Sequence, residues 1–298
     1  MILVEVTRSG YVEGTHHGHV VALRPDGSTA LALGDVERPI YPRSSNKPLQ
    51  AAAMLELGWQ PANDEELALA TASHNGEPGH LSVVQGMLGT LELQCPAMPP
   101  VSDEAWHAIL RAGGDATRLT MNCSGKHAAM LRTCVANGWD TASYLSPEHP
   151  LQRALRASIE RQAGEAVAHV AVDGCGAPQH SLSLHALACA FAGLDGRVVT
   201  AMTSKPWYVG GTGRDVTRLM EGVPGLVAKD GAEGVFAAAL PDGSAVALKI
   251  EDGGWRARTP VLVAALRRLG VEAPVLDELA ETPVLGGGKP VGSARVVF

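Results

Sequence analysis

The sequence predicts an α+β fold in which an antiparallel sheet, built from both ends of the chain, packs against helices. Both ends carry short apolar runs, and each contains the tetrapeptide Pro-Asp-Gly-Ser, at Pro25–Ser28 and at Pro241–Ser244. This tetrapeptide is typical of tight turns between strands. The region between the ends shows helical periodicity. We therefore expect one domain over residues 1–298, with β-rich ends at 1–43 and 224–298, a helical middle at 44–223 and an α/β/α arrangement.

The individual elements follow from these patterns. The first hairpin is expected within residues 1–33, around the turn 24–28, and the second within residues 234–250. Helices are predicted at 47–57, 65–72, 80–91, 103–112, 124–137, 147–163, 182–194 and 260–269, with a strand at 168–172 among them.

Composition excludes several classes of protein. The chain has 298 residues, 24 Lys and Arg against 31 Asp and Glu, and a net charge of −7, so a nucleic-acid partner is not expected. No apolar run approaches the roughly 18 residues that a membrane span needs, and the first residues do not resemble a signal peptide. Five Cys is an odd number for a disulfide framework. We therefore expect a cytoplasmic protein with no membrane segment.

Ser44 and Lys47 stand three residues apart where a helix is expected to begin. Ser44 is predicted to cap that helix, and the spacing puts both residues on one face. A Ser hydroxyl becomes a nucleophile when a nearby base takes its proton. A Lys amine is such a base when burial or a second cation lowers its pKa. The simpler explanation of this motif alone is a capped helix with an exposed Lys.

A second lysine is expected at Lys229, which precedes the second hairpin as Lys229-Asp230-Gly231. Ser-x-x-Lys early in the chain and Lys-x-Gly late is the order found in serine β-lactamases and penicillin-binding proteins. Gly231 is expected to let substrate approach the strand, and the amides of Ser44 and of the residue after Gly231 predict an oxyanion hole. Lys249, at the end of an apolar strand, is the alternative second lysine.

Cys123 and Lys126 repeat the three-residue spacing at the start of another predicted helix, followed by His127. Cys175 lies between two glycines after the predicted strand 168–172. Two Cys thiolates with His127 nearby are ligand types for Zn²⁺. A catalytic pair of Cys123 with His127, and two inert cysteines, are the alternatives.

Two further polar segments stand out. In Ser73-His74-Asn75-Gly76-Glu77, Ser73 or His74 is a candidate proton relay and Glu77 a candidate helix cap, against the simpler view that the segment is a polar loop. His16-His17-Gly18-His19 contains metal-ligand types, but a polar strand face explains it more simply.

Five motifs together resemble the rhizobial-type, class 3 L-asparaginases of the asparaginase II family. They occur in order over almost the whole chain: Arg43–Gln50, Ser73–Glu77, Asn122–His127, Asp173–Pro178 and Lys229–Gly234. The resemblance implies a fold similar to serine β-lactamases and glutaminases, and hydrolysis of L-asparagine to L-aspartate and ammonia. A homodimer is also expected from the resemblance.

The resemblance also implies roles for individual residues. Ser44 matches the nucleophile, Lys47 its base, and Ser73 the serine of a second Ser-Lys pair completed by Lys229 or, alternatively, Lys249. Cys123, Lys126 and Cys175 match the ligands of a zinc ion. Asp173 and His127 match residues close to that metal and the substrate, and Arg43 matches a substrate-binding arginine beside the nucleophile.

Three other functions stay open at this point. A glutaminase or a β-lactam-recognising hydrolase would use the same scaffold. A zinc-dependent amino-acid binder would keep the scaffold without turnover.

Overall fold

A computed structural model describes residues 1–298 and contains ten strands and twelve α-helices. The strands are β1 Ile2–Arg8, β2 Tyr11–Leu23, β3 Thr29–Leu33, β4 Val170–Val172, β5 Pro178–His180, β6 Val227–Asp230, β7 Val235–Ala239, β8 Ala245–Ile250, β9 Thr282–Gly286 and β10 Lys289–Val296. The helices are α1 Lys47–Glu56, α2 Asp64–Ala70, α3 Pro78–Leu88, α4 Asp103–Arg111, α5 Ser124–Asn137, α6 Pro150–Ala163, α7 Leu184–Ala192, α8 Gly196–Ser204, α9 Pro206–Val209, α10 Asp215–Gly222, α11 Trp255–Arg268 and α12 Pro274–Leu279.

The main sheet joins the two ends of the chain. It has eight antiparallel strands in the order β6-β7-β8-β2-β1-β10-β9, with β3 also paired to β2. Near the termini Val4 pairs with Val296, and in the long strand β2 Gly18 pairs with Ile250. The predicted antiparallel sheet built from both termini is confirmed.

The two predicted tight turns form by the same local chemistry. The Asp26 carboxylate accepts a hydrogen bond from the Ser28 amide at 2.9 Å, and Asp242 accepts one from Ser244 at 2.8 Å. The glycine between them has a φ of +80° in the first turn and +91° in the second. Glycine adopts this conformation without steric cost, which explains why the tetrapeptide identified both hairpins.

Helices cover both faces of the sheet. The helices α7 and α11 each pack on β2, β7 and β8 but make no extensive contact with each other. These strands are buried on both faces, with every residue of β7 enclosed, so the two helices lie on opposite faces. The remaining helices pack mainly on one another, around the buried helix α5. No single helix is long and apolar enough to cross a membrane; only α7 and α8 together, at an angle of 86°, meet the length and composition required.

The last long helix begins at Trp255, five residues before the predicted start at Pro260. Proline has no amide hydrogen, so Pro260 leaves the Arg256 carbonyl without its helical partner. The Thr282 hydroxyl donates to that carbonyl at 2.8 Å. Because a residue of the neighbouring strand β9 supplies the missing hydrogen-bond donor, the proline is tolerated inside the helix.

Other elements differ from the expectations. Helix α1 begins at Lys47, as predicted, but its cap position is Asn46, and Ser44 lies in a preceding 3₁₀ turn, Arg43–Asn46. The predicted Ser44 cap is therefore wrong. Four helices and the last hairpin were not expected from the sequence, namely α8, α9, α10, α12 and β9–β10. Proline and glycine interrupt β9 and β10, which hides their strand pattern.

Candidate active site

Ser44 sits in a strained turn at the entrance to α1. The preceding residue, Arg43, has a φ of +53°, a left-handed conformation that costs a non-glycine residue energy and is concentrated at functional sites. Ser44 is half-buried, and its backbone amide donates no hydrogen bond within the protein. The turn thus presents both the hydroxyl and a free amide of Ser44.

Lys47 points away from the surface into the centre of the helical region. Its side chain is buried, and its Nζ donates to Ser73 Oγ at 3.0 Å, to Cys123 Sγ at 3.1 Å and to the Ala72 carbonyl. No hydrogen bond joins it to Ser44. The three-residue spacing placed Lys47 at the right end of the helix but did not determine the direction of its flexible side chain.

Lys229 is the second buried lysine of this region. Burial and the positive charges of Lys47 and Arg214 together lower the pKa of Lys229 to about 8, although Asp230 opposes the shift. Its Nζ donates to the carbonyl and to Oδ1 of Asp230, each at 2.7 Å. The structure therefore places the two amines in one electrostatic environment, although the expected pairing of Lys229 with Ser73 is not a hydrogen bond here.

Lys249 lies elsewhere. It is half-buried at the end of β8, and its Nζ donates to the carbonyls of Ile250 and Glu251. The charges that act on its pKa are those of Arg38, Glu233, Glu251 and Asp252, not that of Lys47. Of the two candidate lysines, only Lys229 neighbours Lys47.

An ionic cluster around Asp230 was missed by the sequence analysis. Asp230 Oδ2 accepts from Arg214 at 2.8 Å and from Arg258 at 2.9 Å. Although burial opposes it, these cations and Lys229 hold the pKa of Asp230 well below its usual range. Arg214 also donates to the Ser73 carbonyl at 3.2 Å. The cluster thus ties the Lys229 strand to the Ser73 loop.

Gly231 does not provide the open approach for substrate that we expected. A Cβ at this position would lie 2.6 Å from the Pro42 carbonyl and 3.0 Å from Ser45 Oγ. Ser45 Oγ itself donates to the Lys229 carbonyl at 2.9 Å. Gly231 is therefore needed so that the Ser44 turn can pack directly against the end of β6.

The Cys-Lys motif and the second cysteine do come together. Lys126 Nζ lies 3.1 Å from Cys175 Sγ, and the Cys123 thiol, which acts on Cys175 electrostatically, donates to Asn122 Oδ1 at 3.3 Å. The neighbouring Cys123 thiol and the charge of Lys126 lower the pKa of Cys175, whereas the proximity of Cys175 and burial raise the pKa of Cys123. The cluster is a buried thiolate flanked by a thiol and an ammonium group.

The residues that we expected near the zinc ligands, Arg43, His127 and Asp173, lie around the Cys-Lys-Cys cluster. Asp173 accepts from Arg43 Nε at 2.8 Å, and its other oxygen lies 3.9 Å from Cys175 Sγ. His127 Nδ1 is 2.7 Å from the Tyr144 hydroxyl, and its Nε2 is enclosed without a hydrogen-bond partner. Arg43 and Asp173 therefore connect the Ser44 turn to the Cys175 turn.

The donor set suits a metal ion by its chemistry. Two sulfur atoms and one nitrogen converge, and thiolate and neutral nitrogen are ligands that Zn²⁺ prefers. The unpartnered Nε2 of His127 shows that the cluster is not fully satisfied on its own. No group of three or more His, Cys, Asp or Glu side chains is arranged for a metal, so a site here depends on Lys126 as the third donor.

The other polar segments have structural partners. His74 Nε2 is 2.9 Å from Ser124 Oγ, and its ring stacks on His80. Glu77 precedes α3 but makes no capping bond, because its carboxylate instead accepts from Asn75 and Thr212. Glu77 therefore occupies the N-cap position of α3, as expected, but its side chain does not cap the helix.

The histidines of β2 also make protein contacts rather than converging on one point. His16 pairs with Asp252, and His19 pairs with Glu251.

Three solved structures resemble the chain at low identity. A β-lactamase from Mycobacterium bovis is 14% identical over 79% of this chain and 87% of its own, with a TM-score of 0.39. EstCE1, a hydrolase with promiscuous acyltransferase activity, is 12% identical over 85% and 93%, with a TM-score of 0.45. Mglu in its tris and glutamate form is 14% identical over 90% and 62%, with a TM-score of 0.37.

No curated protein sequence gives a significant match to the chain. A family model described as L-asparaginase II matches residues 4–296, nearly the whole chain. This match confirms the family that the five sequence motifs resemble. The chain belongs to the L-asparaginase II family and is an amidohydrolase of the asparaginase type.

Proposed function

We propose that the chain hydrolyses L-asparagine to L-aspartate and ammonia by acyl transfer through Ser44. The observation that carries this proposal is the strained turn that presents Ser44 at the start of α1, together with two buried lysines, Lys47 and Lys229, that act on each other electrostatically. Family membership supports amide hydrolysis, and the site supports a Ser-Lys mechanism for it.

In the first step Lys47, as a neutral amine, takes the Ser44 proton while the hydroxyl oxygen attacks the side-chain amide carbon of the substrate. Two like charges in a buried space disfavour each other, so one amine of the Lys47–Lys229 pair is readily left unprotonated. The lowered pKa of Lys229 supports this. Because Lys47 and Ser73 are hydrogen-bonded, Ser73 passes the proton from Lys47 to the departing ammonia.

Backbone amides are candidates to stabilise the oxyanion. The amides of Ser44 and Ala232 donate no hydrogen bond within the protein. Free amides directed at a developing negative charge lower the barrier of acyl transfer. In the second step water attacks the Ser44 ester, and Lys47 takes the proton of that water and returns it to Ser44 Oγ as the ester bond breaks, so that aspartate leaves and the Ser44 hydroxyl is restored.

Cys123, Lys126 and Cys175 would hold a zinc ion, with Lys126 as a neutral amine. Bound there, zinc would supply a positive charge that orients the substrate. Arg43 precedes Ser44 and binds Asp173 near the cluster, and His127 lies beside the cluster. Both are therefore candidates to bind the polar groups of the substrate asparagine.

The proposal is tested by replacing the nucleophile. Ser44→Ala should lower ammonia release from asparagine by about 10³-fold or more while the circular dichroism spectrum stays unchanged. Ser143→Ala is the matched control, because Ser143 is exposed and its hydroxyl bonds only to its loop neighbour Asp140. Normal turnover by Ser44→Ala would refute the mechanism.

Substrate choice is tested on the unmodified protein. Ammonia release should be fastest from asparagine, slower from glutamine, and a chromogenic β-lactam should not be opened. Faster release from glutamine would make the chain a glutaminase. Binding of asparagine with a thermal shift and no ammonia would make it a binding protein instead.

A further inference from the structure

A second polar cavity lies between α6 and the β4–β5 hairpin. Its volume is about 390 Å³, and none of the residues assigned to the active site lines it. Its polar lining consists of Glu148, Gln152, Arg153, Arg156, Glu160 and His180.

Two buried side chains in its wall have unused hydrogen-bonding capacity. His180 is 2% exposed, and neither nitrogen of its ring has a partner, although only Nδ1 is fully enclosed. Burial lowers the pKa of His180 to about 4, so the ring is neutral and presents one donor and one acceptor. Gln152 is 1% exposed; its Nε2 donates to the Tyr144 carbonyl at 2.7 Å, but its Oε1 has no partner. Buried polar groups without partners are rare in proteins, so these two side chains are candidate contacts for a bound group.

The charges around the cavity balance. Arg156 and Glu160 form an ion pair at 3.1 Å. Arg153 and Glu148 are exposed and make no ion pair with any protein group. A simple anion would be repelled by the two carboxylates and a simple cation by the two guanidinium groups. A ligand that carries one charge of each sign satisfies both free residues.

We propose that this cavity binds a free α-amino acid with a polar side chain, its carboxylate on Arg153, its ammonium group on Glu148 and its side chain against Gln152 and His180. The proposal goes beyond the hydrolysis of asparagine and does not depend on it.

The cavity is connected to the active site through one hairpin. His180 pairs with Val170 at the open end of β4–β5, and the turn at the other end carries Asp173 and Cys175. The turn is closed by the Asp173 amide, which donates to the Ala177 carbonyl at 2.9 Å. A ligand held at the base of this short hairpin restrains its turn, so the two sites are energetically coupled, and the coupling is reciprocal.

Binding is measured by titration calorimetry on the full chain with L-serine, L-threonine and L-histidine, none of which has an amide to hydrolyse. At least one should bind at millimolar concentration, and Arg153→Ala and Glu148→Gln should each weaken that binding about tenfold. Arg111→Ala is the matched control, because Arg111 is also an exposed helical arginine but lies away from the cavity, on α4. Both cavity variants change exposed side chains, so folding is expected to persist, and circular dichroism checks it.

Charge selectivity and coupling give independent readouts. Succinate and putrescine, which carry charges of one sign only, should not bind at the cavity. Amide hydrogen exchange in residues 173–177 should slow when the amino acid binds. Failure of all three amino acids to bind, binding that neither variant weakens, or equal binding of succinate or putrescine would each overturn the proposal, whatever the outcome of the Ser44 experiment.

Discussion

Lys229 and Asp230 are neighbours in β6, yet their side chains meet, with Nζ of the lysine 2.7 Å from Oδ1 of the aspartate. Consecutive residues of a strand point to opposite faces, so this contact forms because the strand ends here and the long lysine side chain curls around it. The second oxygen of Asp230 binds two arginines. One buried carboxylate therefore balances three cations and holds Lys229 in place.

Replacing Asp230 by asparagine should destabilise the protein strongly. The change keeps the shape of the side chain but leaves Lys229, Arg214 and Arg258 without their common anion. Loss of one partner from a buried charge cluster costs about 3–5 kcal/mol, which is the decrease expected in the free energy of unfolding from urea denaturation. Asp277→Asn is the control, since Asp277 pairs with Arg267 at the surface and should cost no more than about 1 kcal/mol. Equal effects of the two variants would show that the cluster around Asp230 is unimportant for stability.

Activity should depend on the protonation of the lysine pair. The pKa of Lys229 is lowered to about 8, and its neighbour Lys47 must be neutral to accept the Ser44 proton. We therefore expect kcat/KM for asparagine to rise between about pH 7 and pH 9 as the pair loses one proton. Lys229→Met removes the amine whose pKa is lowered to about 8, so the rise over this pH range should be lost. Lys249→Met should leave the profile in place; a shift in that variant instead would identify Lys249 as the second lysine.

Lys229 also makes the free energy of unfolding depend on pH. In the unfolded chain Lys229 has a pKa of about 10.4, so the folded protein binds fewer protons than the unfolded chain between about pH 8 and pH 10.4. Its contribution to the free energy of unfolding should therefore rise with pH across that window and be absent from Lys229→Met. The measurement is urea denaturation of both proteins at several pH values. A difference between the two proteins that stays constant across the window would contradict the lowered pKa.

The sequence predicted what depends on local chemistry. The turns at Asp26 and Asp242 formed as expected because a carboxylate and a glycine at fixed spacing are sufficient for them. Contacts between distant segments left no such pattern. Arg214 and Arg258 reach Asp230 from 16 and 28 residues away, and neither lies in a recognisable motif.

The direction of side chains was the second feature that the sequence did not predict. The spacing of Ser44 and Lys47 identified both residues, but a side chain with four methylene groups has many directions available, and that of Lys47 ends at Ser73. The motifs thus predicted which residues gather in the site, and the fold determined which of them bind each other.

Gly231→Ala should damage both stability and activity. The added methyl group would lie 2.6 Å from the Pro42 carbonyl, so the Ser44 turn must shift away from β6. Forcing a methyl group into a packed site costs about 1–3 kcal/mol, to be measured by urea denaturation, and the displaced turn should lower kcat. Gly86→Ala is the matched control, because a Cβ there meets no atom within 4 Å. It lies within α3 and should stabilise the protein slightly. Full activity of Gly231→Ala would show that the contact does not position Ser44.

Metal content gives a direct test of the Cys-Lys-Cys cluster. We expect elemental analysis of protein purified without chelator to find about one zinc per chain, since the donors present match one tetrahedral site with one position left for water or substrate. Cys175→Ser and Lys126→Met should each remove most of the metal. Cys189→Ser is the control, because Cys189 lies in α7, outside the cluster, and the only hydrogen-bond partner of its sulfur is His185. Chelation should raise KM more than it lowers kcat, because the ion is expected to orient substrate while Ser44 performs the attack. Complete loss of kcat on chelation would assign the metal to the chemical step, and protein without zinc would leave the three donors as a structural cluster.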